Sequence, residues 1–380
     1  MSIRVLIVDD SAVMRALLQR KLQIEDDIEV VGAARDAMQA RSMIKKLDPD
    51  VITLDIEMPG MDGLSFLEKI MALRPTPVII VSGSTQEGAQ ATARALQIGA
   101  VNCYAKSTPQ RSLNDDDGGE LAKLIREAAA VRTGAANVDR PARSASPSPE
   151  DRAHSPGQPR RELRVSTEPS LKPVALPQVT ANAPELIAIG SSTGGVEALH
   201  SLLAGFPPDC PPTLIVQHVN ATFAGAIVDS LNKTCAPQVA LADSDIVLET
   251  GKVWLAPGDE KHLMLATAGS HGWRMVLRAD DKVSGHRPSV DRLFQSVAEV
   301  AGPRALGILL TGMGQDGAKH LLSMAQTGSR TIAQDEASCV VFGMPRKAIE
   351  LGAAREVLPL EAIPQAIFGN IAPSQAAQGA

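Results

Sequence analysis

Leu186-Ile187-Ala188-Ile189-Gly190-Ser191-Ser192-Thr193-Gly194-Gly195 is an apolar run of strand length that breaks on small residues and passes into a helix-like stretch, Gly195 to Leu203. A short buried strand feeding a helix through a glycine turn is the repeating unit of α/β folds. On such a turn the Ser192 hydroxyl stands exposed and backbone N–H groups point at an incoming oxyanion. The positive end of the following helix favours negative charge there. That is a setting for an activated serine. The plainer readings are a glycine-rich helix cap or a phosphate cradle, so residues elsewhere must decide.

Outward from this turn the same alternation continues. Strand-like runs at Leu214 to Gln217, Val239 to Ala242, Val253 to Ala256, Leu306 to Leu310 and Thr331 to Ala333 are interleaved with helical patterns around Phe223 to Leu231, Ser289 to Val300 and Ala318 to Ala325. His262 to Ala266 and Trp273 to Arg278 flank Gly269-Ser270-His271-Gly272 like the arms of a hairpin, which predicts an antiparallel edge. Upstream, Val5 to Val8, Val30 to Ala33, Val51 to Leu54, Val78 to Val81 and Val101 to Tyr104 make five βα units, hence a flavodoxin-like five-stranded parallel sheet. In the helix Leu64 to Leu73, Leu64, Leu67, Ile70 and Met71 share one face that Glu68 and Lys69 avoid. Residues 131–183 are rich in Pro, Ser, Ala and Arg, with too little apolar surface to offset the entropy of ordering. The expected organisation is therefore a first domain over 1–130, a linker over 131–183 and a doubly wound α/β domain over 184–370.

With 380 residues, two cores are expected. The net charge of −6 and the lack of a basic face argue against nucleic acid as a partner. Aromatic residues are 2% of the chain, so the cores must be aliphatic and stacking on bases is disfavoured. The segment Met1 to Val8 becomes strand at once, without a charged leader or cleavage site, and no apolar stretch nears the roughly 20 residues that cross a bilayer. Membrane insertion is not expected. Cys103, Cys210, Cys235 and Cys339 show no metal spacing and read as reduced, mostly buried thiols, which suits a cytoplasmic protein.

Asp9 and Asp10 end the first strand and Asp55 the third, so three carboxylates gather at the carboxyl edge of one sheet. They repel unless a proton or a hard divalent cation joins them, and Mg²⁺ suits so open a site. Ser82 ends the fourth strand and Lys106 follows the fifth, adding a hydroxyl and an ammonium. Such a set can accept a phosphoryl group on Asp55 and neutralise it. Through Val8-Asp9-Asp10-Ser11 and Leu54-Asp55-Ile56-Glu57-Met58-Pro59-Gly60-Met61-Asp62-Gly63, residues 1 to 125 resemble the receiver domain of response regulators. The resemblance implies that Asp55 is the phosphoacceptor, that Asp10, Asp55 and the Glu57 carbonyl hold Mg²⁺ with Asp9 nearby, and that Ser82 and Lys106 sense the phosphoryl group. Lys106 is followed by Ser107 where proline is usual, and Cys103 takes the place of the usual switch aromatic.

A serine needs a base, best a histidine held by a carboxylate. His218 ends the strand next in order to that of Ser192, and Asp316 follows Leu306 to Leu310, so all three can meet at one sheet edge. His286 is a rival base and His262 a weaker one, while Asp291 and Asp335 compete with Asp316. His200 and His320 lie on helical patterns and read as surface residues. A phosphorylation-gated module that binds phosphate or nucleotide without hydrolysis remains the alternative.

Residues 185 to 365 resemble the catalytic domain of the CheB family of chemotaxis protein-glutamate methylesterases. The likeness runs through the serine turn, Gln217-His218, Leu255-Ala256-Pro257-Gly258, His286-Arg287-Pro288-Ser289-Val290-Asp291 and Leu310-Thr311-Gly312-Met313-Gly314-Gln315-Asp316-Gly317. It implies a Ser192, His218, Asp316 triad with Thr193 and Met313 as oxyanion donors and no cofactor in that domain. It further implies hydrolysis of glutamate γ-methyl esters, and deamidation of specific glutamines, on the cytoplasmic helices of methyl-accepting chemoreceptors, with a histidine kinase as phosphodonor. A receiver attached to an esterase is expected to cover the serine cleft until it is phosphorylated.

Overall fold

Short runs of Val, Ile and Leu, each closed by a polar or glycine-bearing loop and followed by a helix with one apolar face, can only bury themselves as parallel strands between two helical layers. The computed structural model describes residues 2–58, 63–83, 85–106, 118–131, 183–258, 261–269 and 272–369. The stretch read as a linker lies almost wholly outside the described residues.

The first unit runs β1 (Ile3–Val8), α1 (Ala12–Leu22), β2 (Ile28–Ala34), α2 (Ala37–Leu47), β3 (Val51–Leu54), α3 (Gly63–Leu73), β4 (Val78–Ser82), α4 (Gln86–Ile98), β5 (Asn102–Ala105) and α5 (Gly118–Ala129). Its sheet is parallel in the order β2-β1-β3-β4-β5. Side chains alternate across it, Leu6, Ile52 and Ile80 to one face and Val5, Val51 and Ile79 to the other, and each face is covered by helices. Ser11, Asp36 and Thr85 cap α1, α2 and α4 by accepting from backbone N–H groups of the first turn.

The second unit runs β6 (Leu186–Ser191), α6 (Gly195–Ala204), β7 (Thr213–Gln217), α7 (Ala221–Leu231), β8 (Gln238–Leu241), β9 (Ile246–Val247), β10 (Lys252–Leu255), β11 (His262–Ala268), β12 (Gly272–Arg278), α8 (Val290–Val300), β13 (Ala305–Leu309), α9 (Ala318–Gln326), β14 (Arg330–Gln334), α10 (Met344–Glu350), β15 (Glu356–Leu358) and α11 (Ile363–Phe368). Seven strands form a parallel sheet in the order β15-β14-β13-β6-β7-β10-β8. The antiparallel hairpin β11-β12 is present but is not an edge of that sheet. It pairs with β9 in a separate three-stranded sheet. The reason is packing: Leu263, Leu265 and Met275 are buried in one cluster with Leu293, Phe294 and Val297 of α8, so the hairpin covers a helix rather than extending the sheet.

The two units touch. Helix α4 packs on α6 and α7, and one apolar cluster takes in residues of both. No helix among the described residues is long and apolar enough to cross a membrane.

In both sheets the chain changes winding direction beside the first strand of the unit, between β1 and β3 and between β6 and β13, the points where α/β sheets form ligand crevices. The close approach of β6 to α8 depends on Gly190, where a Cβ would lie 2.2 Å from Val290 Cγ1. Gly190→Ala is therefore expected to lower the unfolding temperature of the second unit, at a cost of about 1–3 kcal/mol, with the first unit's calorimetric transition unmoved.

Candidate active site and acidic pocket

Strands β13, β6 and β7 are neighbours, so the residues that follow them share one edge. The Ser192 N–H donates to Thr311 O at 3.0 Å and the His218 N–H to Ser191 O at 3.1 Å, which locks the three strand ends together. Gln217 braces the turn: its Oε1 accepts from Ser191 Oγ at 2.6 Å and its Nε2 donates to Ser192 O at 2.9 Å. That crossing needs Gly195, where a Cβ would stand 2.1 Å from Gln217 Oε1. Gly194 takes φ +75° against Val340, a conformation and a space that only glycine fits.

The structure joins His218 to Asp316, Nε2 to Oδ2 at 2.8 Å. Asp316 is 2% exposed, and its other bonds come from the start of α8: Ser289 Oγ at 2.7 Å, Asp291 N at 3.0 Å and Val290 N at 2.8 Å. Burial pushes this carboxyl up, but the bonds and charge from His218, with Ser289 and the Asp291 N–H, outweigh burial and hold it at about 2. An ionised carboxylate only accepts, so His218 Nε2 carries the hydrogen of this bond. Nδ1 is buried and has no hydrogen-bond partner. Ser192, 6% exposed, and His218 line one small cavity, without a hydrogen bond between them in this arrangement. Catalytic hydrogen bonds are often long before substrate binds.

The competing residues are spent elsewhere. His262 is fully buried, its Nδ1 accepting from Ser289 N at 3.1 Å and its Nε2 2.9 Å from Asp281 O. Asp291 bonds His320 Nδ1 at 3.0 Å and Ser284 Oγ at 3.1 Å, and Asp335 caps Ser338. His200 is not the surface residue expected, while His320 is half-buried against Asp291. His200 is buried between Thr234 Oγ1 at 2.8 Å and Ser230 Oγ at 3.2 Å, and burial, with the nearby Arg94 charge, pushes its pKa down. A polar residue on an apolar helix face is drawn inside when hydroxyls await it. His286 stays beside the site, stacked on His218.

Of the expected oxyanion donors, Met313 lines a cleft of about 800 Å³ together with Asp316 and His286. Thr193 sits on the turn, and its Oγ1 donates to Glu127 Oε2 of α5 at 3.0 Å. Glu127 and Gln217 carry roles no local pattern announces. The first unit also reaches the turn through Val101 O, which accepts from Gly194 N at 3.4 Å, and through Lys123 Nζ, 3.5 Å from His286 Nε2. The cavity that Ser192 shares with Leu96, Ala100 and Val101 is about 10 Å³, no more than one water.

In the first unit, Asp9, Asp10 and Asp55 offer oxygens within 4.8 Å of one another. Lys106 Nζ lies 2.5 Å from Asp55 Oδ2 and 3.1 Å from Asp9 Oδ2, yet Asp9 Oδ2 is buried without a hydrogen bond. Burial raises the Asp9 pKa, and the charge of Asp55 adds to it against Lys106. Three carboxylates close together with only one ammonium against them form an all-oxygen donor set that fits a hard divalent cation. Glu57 N donates to Asp55 Oδ1 at 2.9 Å, while the Glu57 side chain turns away to Thr85 and Gly83. Ser82 Oγ is not brought onto Asp55 and donates to Gly88 O of α4 at 3.3 Å. Cys103 is buried, its thiol pushed up to about 12 by burial and then by Glu120, and Lys21 Nζ donates to Tyr104 OH at 3.1 Å.

Fold and sites together define a receiver coupled to an α/β domain that carries a serine, a histidine and an aspartate on one sheet edge. A family model for CheB methylesterase matches residues 187–367 and one for the response regulator receiver domain matches 5–128. The protein-glutamate methylesterase/protein-glutamine glutaminase of Agrobacterium fabrum is 48% identical over 365 residues, 96% of this chain and 95% of its own length. A Caulobacter vibrioides protein of the same name, numbered 1, is 47% identical over 369 residues, 96% and 97% of the two chains. The crystal structure of the Thermotoga maritima CheB methylesterase catalytic domain is 34% identical, with a TM-score of 0.47, covering 49% of this chain and 98% of that one. The chain belongs to the CheB methylesterase family, with a receiver domain in front of the hydrolase.

Because Asp316 is held below its ordinary 3.8, its contribution to stability is in place above that value and is lost as pH falls towards 2. Between pH 4 and pH 2 the thermal midpoint of the second unit should fall more steeply in wild type than in Asp316→Asn, as read by near-UV circular dichroism.

Proposed function

We propose that this chain hydrolyses glutamate γ-methyl esters, and deamidates specific glutamines, on the cytoplasmic helices of methyl-accepting chemoreceptors, acting in the cytoplasm. The carrying observation is the His218–Asp316 bond with His218 Nδ1 left unpartnered in the cavity it shares with Ser192. Ser192 Oγ attacks the ester carbonyl while His218 Nδ1 takes its proton, and the imidazolium is held by the Asp316 carboxylate. Backbone N–H groups at Thr193 and Met313, with the N-terminus of α6, receive the oxyanion. His218 then returns the proton to the leaving methoxide, giving methanol. Water, deprotonated by the same nitrogen, frees the glutamate and restores Ser192. A phosphate cradle is disfavoured because Asp316 and Glu127 are carboxylates already gathered at this edge. The working limits are a receiver over 1–130, a linker over 131–183 and a catalytic domain over 184–370.

Asp55 is the phosphoacceptor in this reading, served by a histidine kinase. Asp10, Asp55 and the Glu57 carbonyl would hold Mg²⁺ with Asp9 beside them. When bound, the ion supplies charge neutralisation for phosphoryl transfer. Lys106 pairs with the carboxylates, and Ser82 ties the end of β4 to α4. The receiver closes the Ser192 cavity through Val101, Glu127 and Lys123, and phosphorylation shifts the balance towards release.

Ser192→Ala should lower methanol release from methylated receptor membranes by something on the order of 10⁶, with phosphorylation of Asp55 unchanged. Near-normal release would remove the covalent mechanism. Glu127→Ala breaks the bond to Thr193 and should raise release by the unphosphorylated full chain about fivefold or more, towards the phosphorylated rate. A basal rate equal to wild type would argue against closure through this contact.

A further inference from the structure

His218 is oriented at one nitrogen alone, by Asp316, and its other nitrogen has no partner. A single hydrogen bond leaves an imidazole free to rock about that bond, because the last side-chain torsion of histidine is broad. What stops the rocking is a second ring. His286 lies flat on His218, centroids 3.8 Å apart and planes within 3°. Its own position is built into the backbone. Val283 and His286 pair across a tight turn whose central residues, Ser284 at φ 53° and Gly285 at φ 79°, are both left-handed. Ser284 Oγ pins that turn to Asp291 at the start of α8.

We propose that His286 is a positioning residue for the hydrolysis, a second imidazole whose face fixes the plane of the His218 ring between Asp316 and the serine turn and keeps water off it. The assignment deepens the reading of His218 as general base and rests on it. His286 is unsuited to be a base itself. Burial pushes its pKa down to about 3, and His218, Lys123 of α5 and Lys282 of its own loop push the same way against Asp316. A neutral ring can stack on His218 in both protonation states, whereas a charged one would oppose the imidazolium that forms when Ser192 gives up its proton. Its outer edge, at His286 Nε2, lies 3.5 Å from Lys123 Nζ of α5, so the first unit reaches the plate itself.

The test uses the phosphorylated full-length chain and methanol release from methylated receptor membranes, with kcat and KM measured across pH. His286→Ala should lower kcat on the order of 10²-fold with KM within about twofold, since a loosened base costs orientation rather than binding. His286→Phe keeps a flat apolar face and should hold kcat within about threefold of wild type. The assignment is overturned by an alanine variant with wild-type kcat. It is equally overturned by a phenylalanine variant as slow as the alanine one, which would give the His286 nitrogens a chemical role. Should the alanine chain fold poorly, as judged by its thermal midpoint, the ¹⁵N resonances of the His218 ring in His286→Phe decide: the same chemical shifts as wild type support the plate and displaced ones sink it. A wild-type enzyme with no acid limb would instead count against His218 as base.

Discussion

A buried carboxylate must be matched by donors or it will take up a proton, and in this protein that requirement falls on Asp316. Its donors come from three places: the imidazole after β7, the Ser289 hydroxyl, and two N–H groups at the start of α8. One anion therefore sets where the loop after β13, the first turn of α8 and the His218 ring lie relative to one another. The helix end suits it, since unpaired N–H groups and the positive end of the dipole both favour negative charge. The separate antiparallel sheet gains a purpose from the same anion. His262 of β11 accepts from Ser289 N, and Ser296 of α8 accepts from Leu265 N, so the hairpin holds the helix whose start holds Asp316.

The serine turn is fixed by different means. Its strand is buried on both faces, its glycines allow Val290, Val340 and Gln217 to approach within a Cβ's reach, and Gln217 occupies the Ser191 hydroxyl. Ser191 and Ser192 are neighbours of the same type, yet only one hydroxyl is tied into the frame. The other lines the small cavity it shares with His218.

Between the two units, apolar and polar contacts divide the work. Helix α4 on α6 and α7 supplies the burial that holds them together, while Val101, Glu127 and Lys123 put a carbonyl, a carboxylate and an ammonium onto the turn and the stacked imidazoles. The acidic pocket is tied to the same helix, because Ser82 at the end of β4 bonds the first turn of α4. One helix thus stands between the two sites: α4 bonds the end of β4 beside the acidic pocket, and its Leu96 lines the cavity with Ser192.

The order of strands and helices, the three acidic residues of the first unit and the placement of Ser192 on a turn were legible from the sequence. They follow from local rules: a strand's length and apolarity, a helix's one-sided face, and the fact that residues ending parallel strands share an edge. That Asp316 bonds His218 rather than His262 or His286 was not local, since only folding shows that His262 spends both ring nitrogens on backbone. The hairpin's pairing with β9, the burial of His200, the brace at Gln217, the carboxylate of Glu127 at Thr193 and the stack of His286 were decided by tertiary structure alone. Each joins groups from separate elements or loops of the chain, and at such distances no pattern of neighbours encodes which donor will find which acceptor.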